Sequence, residues 1–230
     1  MGSRRQRWRR HRRRHRSSGP QLGLFQRGAH GGSRPGAGRP AGRRTVPHRA
    51  RPVHRSAHPA HVTLRLRPDL PSLRQPRFEI LRSRFARASR AWFRLVHFSV
   101  QSNHIHFIVE ADDAQSLARG MQGLAVRIAR AVNRRLGRRG RVFAERYHAR
   151  VLRGPRATRN AIVYVLQNWK HHQTDTIGTD PCSSAPWFDG WRQPIPRWRS
   201  PPPTAQPQTW LLRVGWKRHG LLGTQERPWN

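Results

Sequence analysis

The chain has 230 residues, 35% of them hydrophobic, with 19 Gly and 19 Pro, so one compact domain with long flanks is expected rather than two. Its 47 Lys and Arg against 10 Asp and Glu give a formal charge of +37, and only Lys170 and Lys217 among the basic residues are not Arg. One cysteine, Cys182, excludes an internal disulfide and a zinc site of paired cysteines, and no stretch approaches the roughly 18 apolar residues of a membrane span.

The charge points to polyanions, nucleic acid first, because Arg grips phosphate oxygens in a fork and stacks on bases. A coding bias toward Arg is the plain alternative, although non-specific binding follows from net charge in either case. The N-terminus lacks the apolar core of a secretory signal, so a cytoplasmic location is expected.

Residues 1–57 open with RRQRWRRHRRRHR and continue through GGSRPGAGRPAGRR, too poor in apolar residues to offset the entropy of ordering. They read as a disordered basic arm, either a nucleic-acid or membrane-surface patch or a solvated tail. From 58 to 175 the periodicity is regular. HVTLRL sets Val62, Leu64 and Leu66 on one strand face and Thr63 and Arg65 on the other. Residues 71–91 look helical, carrying Phe78, Ile80, Leu81 and Phe85. FRLVHFSV, a turn at Gln101, Ser102 and Asn103, and HIHFIVE read as a hairpin with Val96, Phe98 and Val100 on one face and His97 and Ser99 on the other. Asp112 and Asp113 can cap the next helix, whose Leu117, Met121, Leu124, Ile128, Val132 and Leu136 recur at three and four. Residues 142–152 look extended, and a last helix begins near Pro155.

Strand, helix, hairpin, helix, strand, helix predicts an α+β fold: a ferredoxin-like antiparallel sheet with helices packed on one face and the other face open for nucleic acid. Residues 176–230 form a Pro/Trp-rich tail holding six of the nine Trp, which either stack bases beside Arg or staple the tail onto the domain.

The stretch QSNHIHFIVEA poses the functional question. Alternation places His104, His106, Ile108 and Glu110 on one strand face, and Ile105, Phe107 and Val109 toward the core. Two imidazoles so placed can converge on one cation, or bind phosphate, or merely be solvated. With 14 His in the chain, about one His-x-His pair is expected by chance, so the spacing alone carries no weight. Placement between Phe and Val in a strand is the stronger signal. Carboxylates are scarce and unclustered, against a two-metal nuclease. Of the two tyrosines, Tyr164 sits on the last helix one turn before Asn168 and outside the clear apolar stripe, whereas Tyr147 reads as structural.

QSNHIHFIVEA, a helix, RVFAERYHARVL and NAIVYVLQNWKHH together resemble the single-tyrosine HUH transposases, specifically the REP-associated tyrosine transposase group, over roughly residues 59–175. The resemblance implies that His104 and His106 bind a divalent cation, Mg or Mn. It makes Tyr164 the nucleophile and Asn168 the polar residue that assists the metal, with adjacent Gln167 as a substitute. SNHIHF stands where a Met-Pro-Asn-His run is common, and NW follows where Asn-Pro is frequent, departures that bear on substrate choice.

The implied chemistry is attack of Tyr164 on a phosphodiester, giving a 5'-phosphotyrosine and a free 3'-hydroxyl, which a later 3'-hydroxyl reverses to join a new strand. A phenol of ordinary pKa about 10 needs cationic help to ionise for this. The implied partner is single-stranded or hairpin DNA, with no membrane, a homodimer allowed, and a bacterial, nucleoid-associated setting. Three alternatives stand beside it: a non-catalytic nucleic-acid binder on the same fold, a histidine phosphoesterase, and a basic RNA-associated protein. Ile108 occupies the position where a histidine-triad enzyme would need its third His.

Overall fold

Four strands, β1 (Ala60–Arg65), β2 (Phe93–Val100), β3 (His104–Ala111) and β4 (His148–Val151), form one sheet in the order β2-β3-β1-β4. All three pairings are antiparallel. The helices are α1 (Phe78–Phe85), α2 (Ala114–Arg135), α3 (Pro155–Gln167) and the single turn α4 (Trp210–Arg213). This computed structural model describes residues 53–171, 178–196 and 198–228, all within one compact unit, Arg44–Asn230. Nearly all of the basic arm expected at 1–57, and the junction expected near 175, lie outside the described residues. No helix among the described residues is long and apolar enough to cross a membrane.

The α+β class and the antiparallel sheet are as the periodicity predicts. Val62 and Leu64 of β1, Phe107 and Val109 of β3, and Phe93, Leu95, Phe98 and Val100 of β2 join α1 and α2 in the main core. The switch from odd to even positions along β2 comes from a bulge between Leu95 and His97, where one extra residue reverses the facing of those that follow. Val96, expected beside Phe98, therefore lies in a second core on the other face. Asp113 caps α2, its carboxylate accepting from the Ser116 N–H at 2.7 Å. A Cβ at Gly120 would stand 2.2 Å from the Phe93 ring, so α2 needs glycine there to lie this close to β2.

Two elements are shorter than expected. Pro71 and Pro76 lack a donor N–H and restrict the residues before them, so the helix sought over 71–91 is confined to Phe78–Phe85. Within 142–152 the strand proper is His148–Val151, paired with β1, while Phe143 makes a single antiparallel bridge to Leu66 and Tyr147 is buried in the main core.

The second face of the sheet is not open. Ile162, Val165 and Leu166 of α3 pack on it with Val96 and Ile108, joined by Phe188, Trp191, Leu212 and Trp216 from the C-terminal segment. Trp191 donates from Nε1 to Ala185 O at 3.1 Å, and Trp216 from Nε1 to Leu212 O at 3.0 Å. The buried Glu110 carboxylate binds Arg94 Nε at 2.8 Å and accepts from the backbone N–H of Gln208 and Thr209 at 2.9 and 2.8 Å. Glu110 thus braces the C-terminal segment instead of serving the histidines on its strand face.

Candidate active site

Antiparallel pairing places Thr63 of β1 opposite His106 of β3, and Arg65 opposite His104. His61, Thr63, His104 and His106 consequently share the sheet face that α3 crosses. His104 Nε2 stands 2.7 Å from His106 Nε2. His61 Nε2 lies 3.2 Å from His106 Nδ1, and Thr63 Oγ1 is 3.1 Å from that same nitrogen. The phenol ring of Tyr164 meets the His106 ring edge-on at 5.0 Å between centroids and the His61 ring at 5.5 Å. Residues 58 positions apart in sequence, His106 and Tyr164, are thereby brought to one place.

The electrostatics are those of neutral imidazoles in a cationic setting. Burial first, then the positive fields of Arg150, His148 and His104, lower His61 to about 4. Burial, then His61 and His104, lower His106 to about 2. Both rings therefore keep a lone pair at neutral pH, the state a metal ligand requires. A cleft of about 370 Å³ opens beside them, lined by His61, Arg150, Leu152, Ala157, Asn160, Ala161 and Tyr164. Asn160 and Tyr164, four residues apart on α3, present an amide and a phenol to this cleft, and Arg150, opposite His61 on β4, presents a guanidinium.

The outer nitrogens decide whether the pair suits a cation. His104 Nδ1 lies 2.6 Å from Asn103 Oδ1, and a proton donated there leaves the Nε2 lone pair directed at His106. His106 Nδ1 has Thr63 Oγ1 as its oxygen partner, which orients its own Nε2 toward His104. Such outer hydrogen bonds fix tautomer and ring orientation in metal-binding histidines, so the pair fits a divalent cation as a two-nitrogen site. No group of three or more His, Cys, Asp or Glu able to hold a metal occurs among the described residues. The reason is geometric: His61 addresses the Nδ1 side of His106, away from the Nε2 pair.

Of the residues expected at the site, His104, His106 and Tyr164 come together. Asn168 follows one turn after Tyr164, at the end of α3, and is buried. Gln167 Nε2 donates to Gly223 O and Thr224 O of the C-terminal segment at 3.2 and 3.3 Å, while its buried Oε1 has no hydrogen-bond partner among the described residues. His61, Thr63, Asn103, Arg150 and Asn160 were not anticipated as site residues. The alternation of HVTLRL already set Thr63 opposite the core, but only strand pairing shows that it meets His106.

Residues 73–167 match the family described as "Transposase IS200 like". The span shared with the IS200-like transposases is rather less than half of the chain and takes in His104, His106, Arg150, Asn160 and Tyr164, whereas His61, Thr63 and Asn168 fall outside it. A solved structure described as a REP-associated tyrosine transposase bound to a REP hairpin is similar, with 15% identity, 56% of this chain and 75% of that chain covered, and a TM-score of 0.46. No curated protein matches the chain.

Proposed function

We propose that this chain is a DNA transposase that cleaves and rejoins single-stranded or hairpin DNA through Tyr164. The observation that carries the reading is the meeting of the Tyr164 ring with the His104–His106 pair beside a cleft that also holds Arg150 and Asn160. Tyr164 gives up its phenol proton to solvent as its oxygen bonds to phosphorus, the bond from phosphorus to the 3' oxygen breaks, and that oxygen takes a proton from solvent to leave as a 3'-hydroxyl. Reversal by another 3'-hydroxyl transfers the strand. Arg150 and Asn160 hold phosphate oxygens in the cleft, the guanidinium as a charged fork and the amide as a neutral donor.

His104 and His106 would hold a divalent cation of the Mg or Mn type, with Asn168 assigned to assist. When bound, it supplies positive charge against the oxygens of the scissile phosphate. Asn103 and Thr63 orient the two imidazoles, and Tyr147 is structural. The transposase domain covers about residues 58–175, with 1–57 as a basic arm and the C-terminal segment as its brace.

The test is a denaturing gel of the full chain with labelled hairpin DNA and Mn or Mg. A metal-dependent covalent adduct is expected, lost in Tyr164→Phe and in chelator but kept in Tyr147→Phe. Equal loss in both tyrosine variants, both folded, refutes the assignment of the nucleophile. A second reading, a non-catalytic DNA binder on the same fold, draws on the two-membered histidine set, and it predicts tight binding with no adduct.

A further inference from the structure

The C-terminal tryptophans among the described residues differ in exposure, and Trp198, 36% exposed, leans edge-on against Trp187. Trp191 and Trp216 are 7% and 1% exposed and donate to backbone carbonyls inside the second core. Trp210 is 48% exposed, at the first position of α4, and Val214 and Leu221 of the same C-terminal segment are 52% and 39% exposed. An isolated exposed apolar residue needs no explanation, but this one is held by a deliberate scaffold. The two residues before it, Gln208 and Thr209, hang by their N–H groups from the fully buried Glu110 carboxylate, itself paired with Arg94. Thr209 then caps the turn, accepting from Leu212 N. Below the ring lies Gly215, where a Cβ would come within 2.7 Å of it. The Arg218 guanidinium stands over the ring, 4.8 Å from its centroid.

The charge around the ring selects the partner. Arg213, Lys217, Arg218 and His219 are all exposed on these two turns, and no Asp or Glu occurs between residues 190 and 225. A second copy of a chain at +37 would bring like charge against like. An anionic lipid surface would need more inserted apolar area than these three side chains provide. An indole and guanidinium fixed on a rigid cationic surface suit a strand whose bases are unpaired, because every base has a face to stack and a phosphate beside it.

We propose that the Trp210–Arg218 surface is a stacking platform for unpaired bases of the DNA strand on which the chain acts. The proposal rests on the DNA reading above and extends it to a second contact. The 3-10 turn at Gly215–His219, which carries Arg218, packs against α3, the helix that carries Tyr164. The cleft and the platform thus share α3 as a common support.

The test uses the full chain with chelator present, so that binding alone is read. Fluorescence anisotropy at about 0.15 M salt, where exposed charges are well screened, compares a hairpin bearing a single-stranded extension with the same hairpin lacking it. Wild type is expected to prefer the extended DNA by at least about fivefold, the lower end of what stacking one base contributes. Trp210→Ala is expected to lose that preference with the bare hairpin unaffected, Trp210→Phe to keep most of it, and Arg218→Gln to weaken it. A 2-aminopurine in the extension is expected to be quenched by wild type and not by Trp210→Ala. Equal preference in wild type and Trp210→Ala overturns the platform, as does an equal loss on both DNAs. Should Trp210→Ala fail to fold by circular dichroism, the exposed Arg218→Gln and the 2-aminopurine signal in wild type decide alone, and an unquenched probe refutes the proposal. Flotation with phosphatidylserine vesicles, or self-association by sedimentation, that depends on Trp210 while the extension has no effect assigns the surface to lipid or to a second copy and overturns it as well. The adduct assay at Tyr164 is independent: an adduct without an extension effect fails the platform only, and an extension effect without an adduct fails the transposase reading only.

Discussion

Acid should unfold this protein in part through His97, a residue outside the candidate active site. Its ring lies on β2 under the C-terminal segment, buried, edge-on to Phe188 at 5.4 Å, with Ser184 Oγ at 3.4 Å from Nδ1. Burial lowers its pKa from 6.5 to about 4, outweighing the opposite pull of Asp189 and Glu110. A histidine lowered in the folded state is protonated first in the unfolded chain, so its contribution is intact above pH 6.5 and is lost as pH falls toward 4. One proton over that interval, at about 1.4 kcal/mol per pH unit, amounts to about 3 kcal/mol. Urea unfolding of wild type and His97→Leu at intervals from pH 7.5 to 4 measures it. The variant is expected to start less stable at neutral pH, and the gap is expected to close by about 3 kcal/mol as the pH falls. Every other titrating group, including His61 and His106, contributes to both proteins and cancels in the difference. Parallel curves would show that His97 is reached by solvent in the folded state and would refute the reasoning.

Asn103→Ala frees the Nδ1 proton of His104 from its oxygen partner, and a loss of about 10-fold to 100-fold in Mn affinity is expected, read by electron paramagnetic resonance of the full chain. Thr63→Val should cost less, because His61 Nε2 still faces His106 Nδ1; equal effects of the two variants would contradict the geometry. Glu110→Gln leaves buried Arg94 with only the distant, exposed Asp112 carboxylate at 4.0 Å as counter-charge and turns an amide donor toward backbone donors. A loss of about 3–5 kcal/mol in urea unfolding at pH 7 is expected, and a cost under about 1 kcal/mol would refute the brace.

The contrast between strands β2 and β3 shows how far the sequence reached. In HIHFIVE the alternation alone assigned Ile105, Phe107 and Val109 to the core and both histidines to the other face, and the sheet keeps that assignment, because side-chain facing in a regular strand is a local property of the backbone. In FRLVHFSV the same rule failed at Val96, since a bulge is set by the register of the partner strand and leaves no mark in the apolar pattern. Tyr164 was legible as a residue beside the apolar stripe of α3, but its meeting with His106 depends on where that helix crosses the sheet.

Local backbone chemistry and composition thus determined the α+β class, the Asp113 cap, the facing of the histidine pair, and a charge that seeks polyanions. Tertiary structure alone decided that α3 and the C-terminal segment close the second face, that Glu110 serves that closure, and that His61 and Thr63 back His106. It also separated buried staples such as Trp191 and Trp216 from the exposed Trp198 and Trp210. Those contacts join residues tens of positions apart, and their partners are set by how the sheet and helices pack together, so no pattern within a short stretch of sequence encodes them.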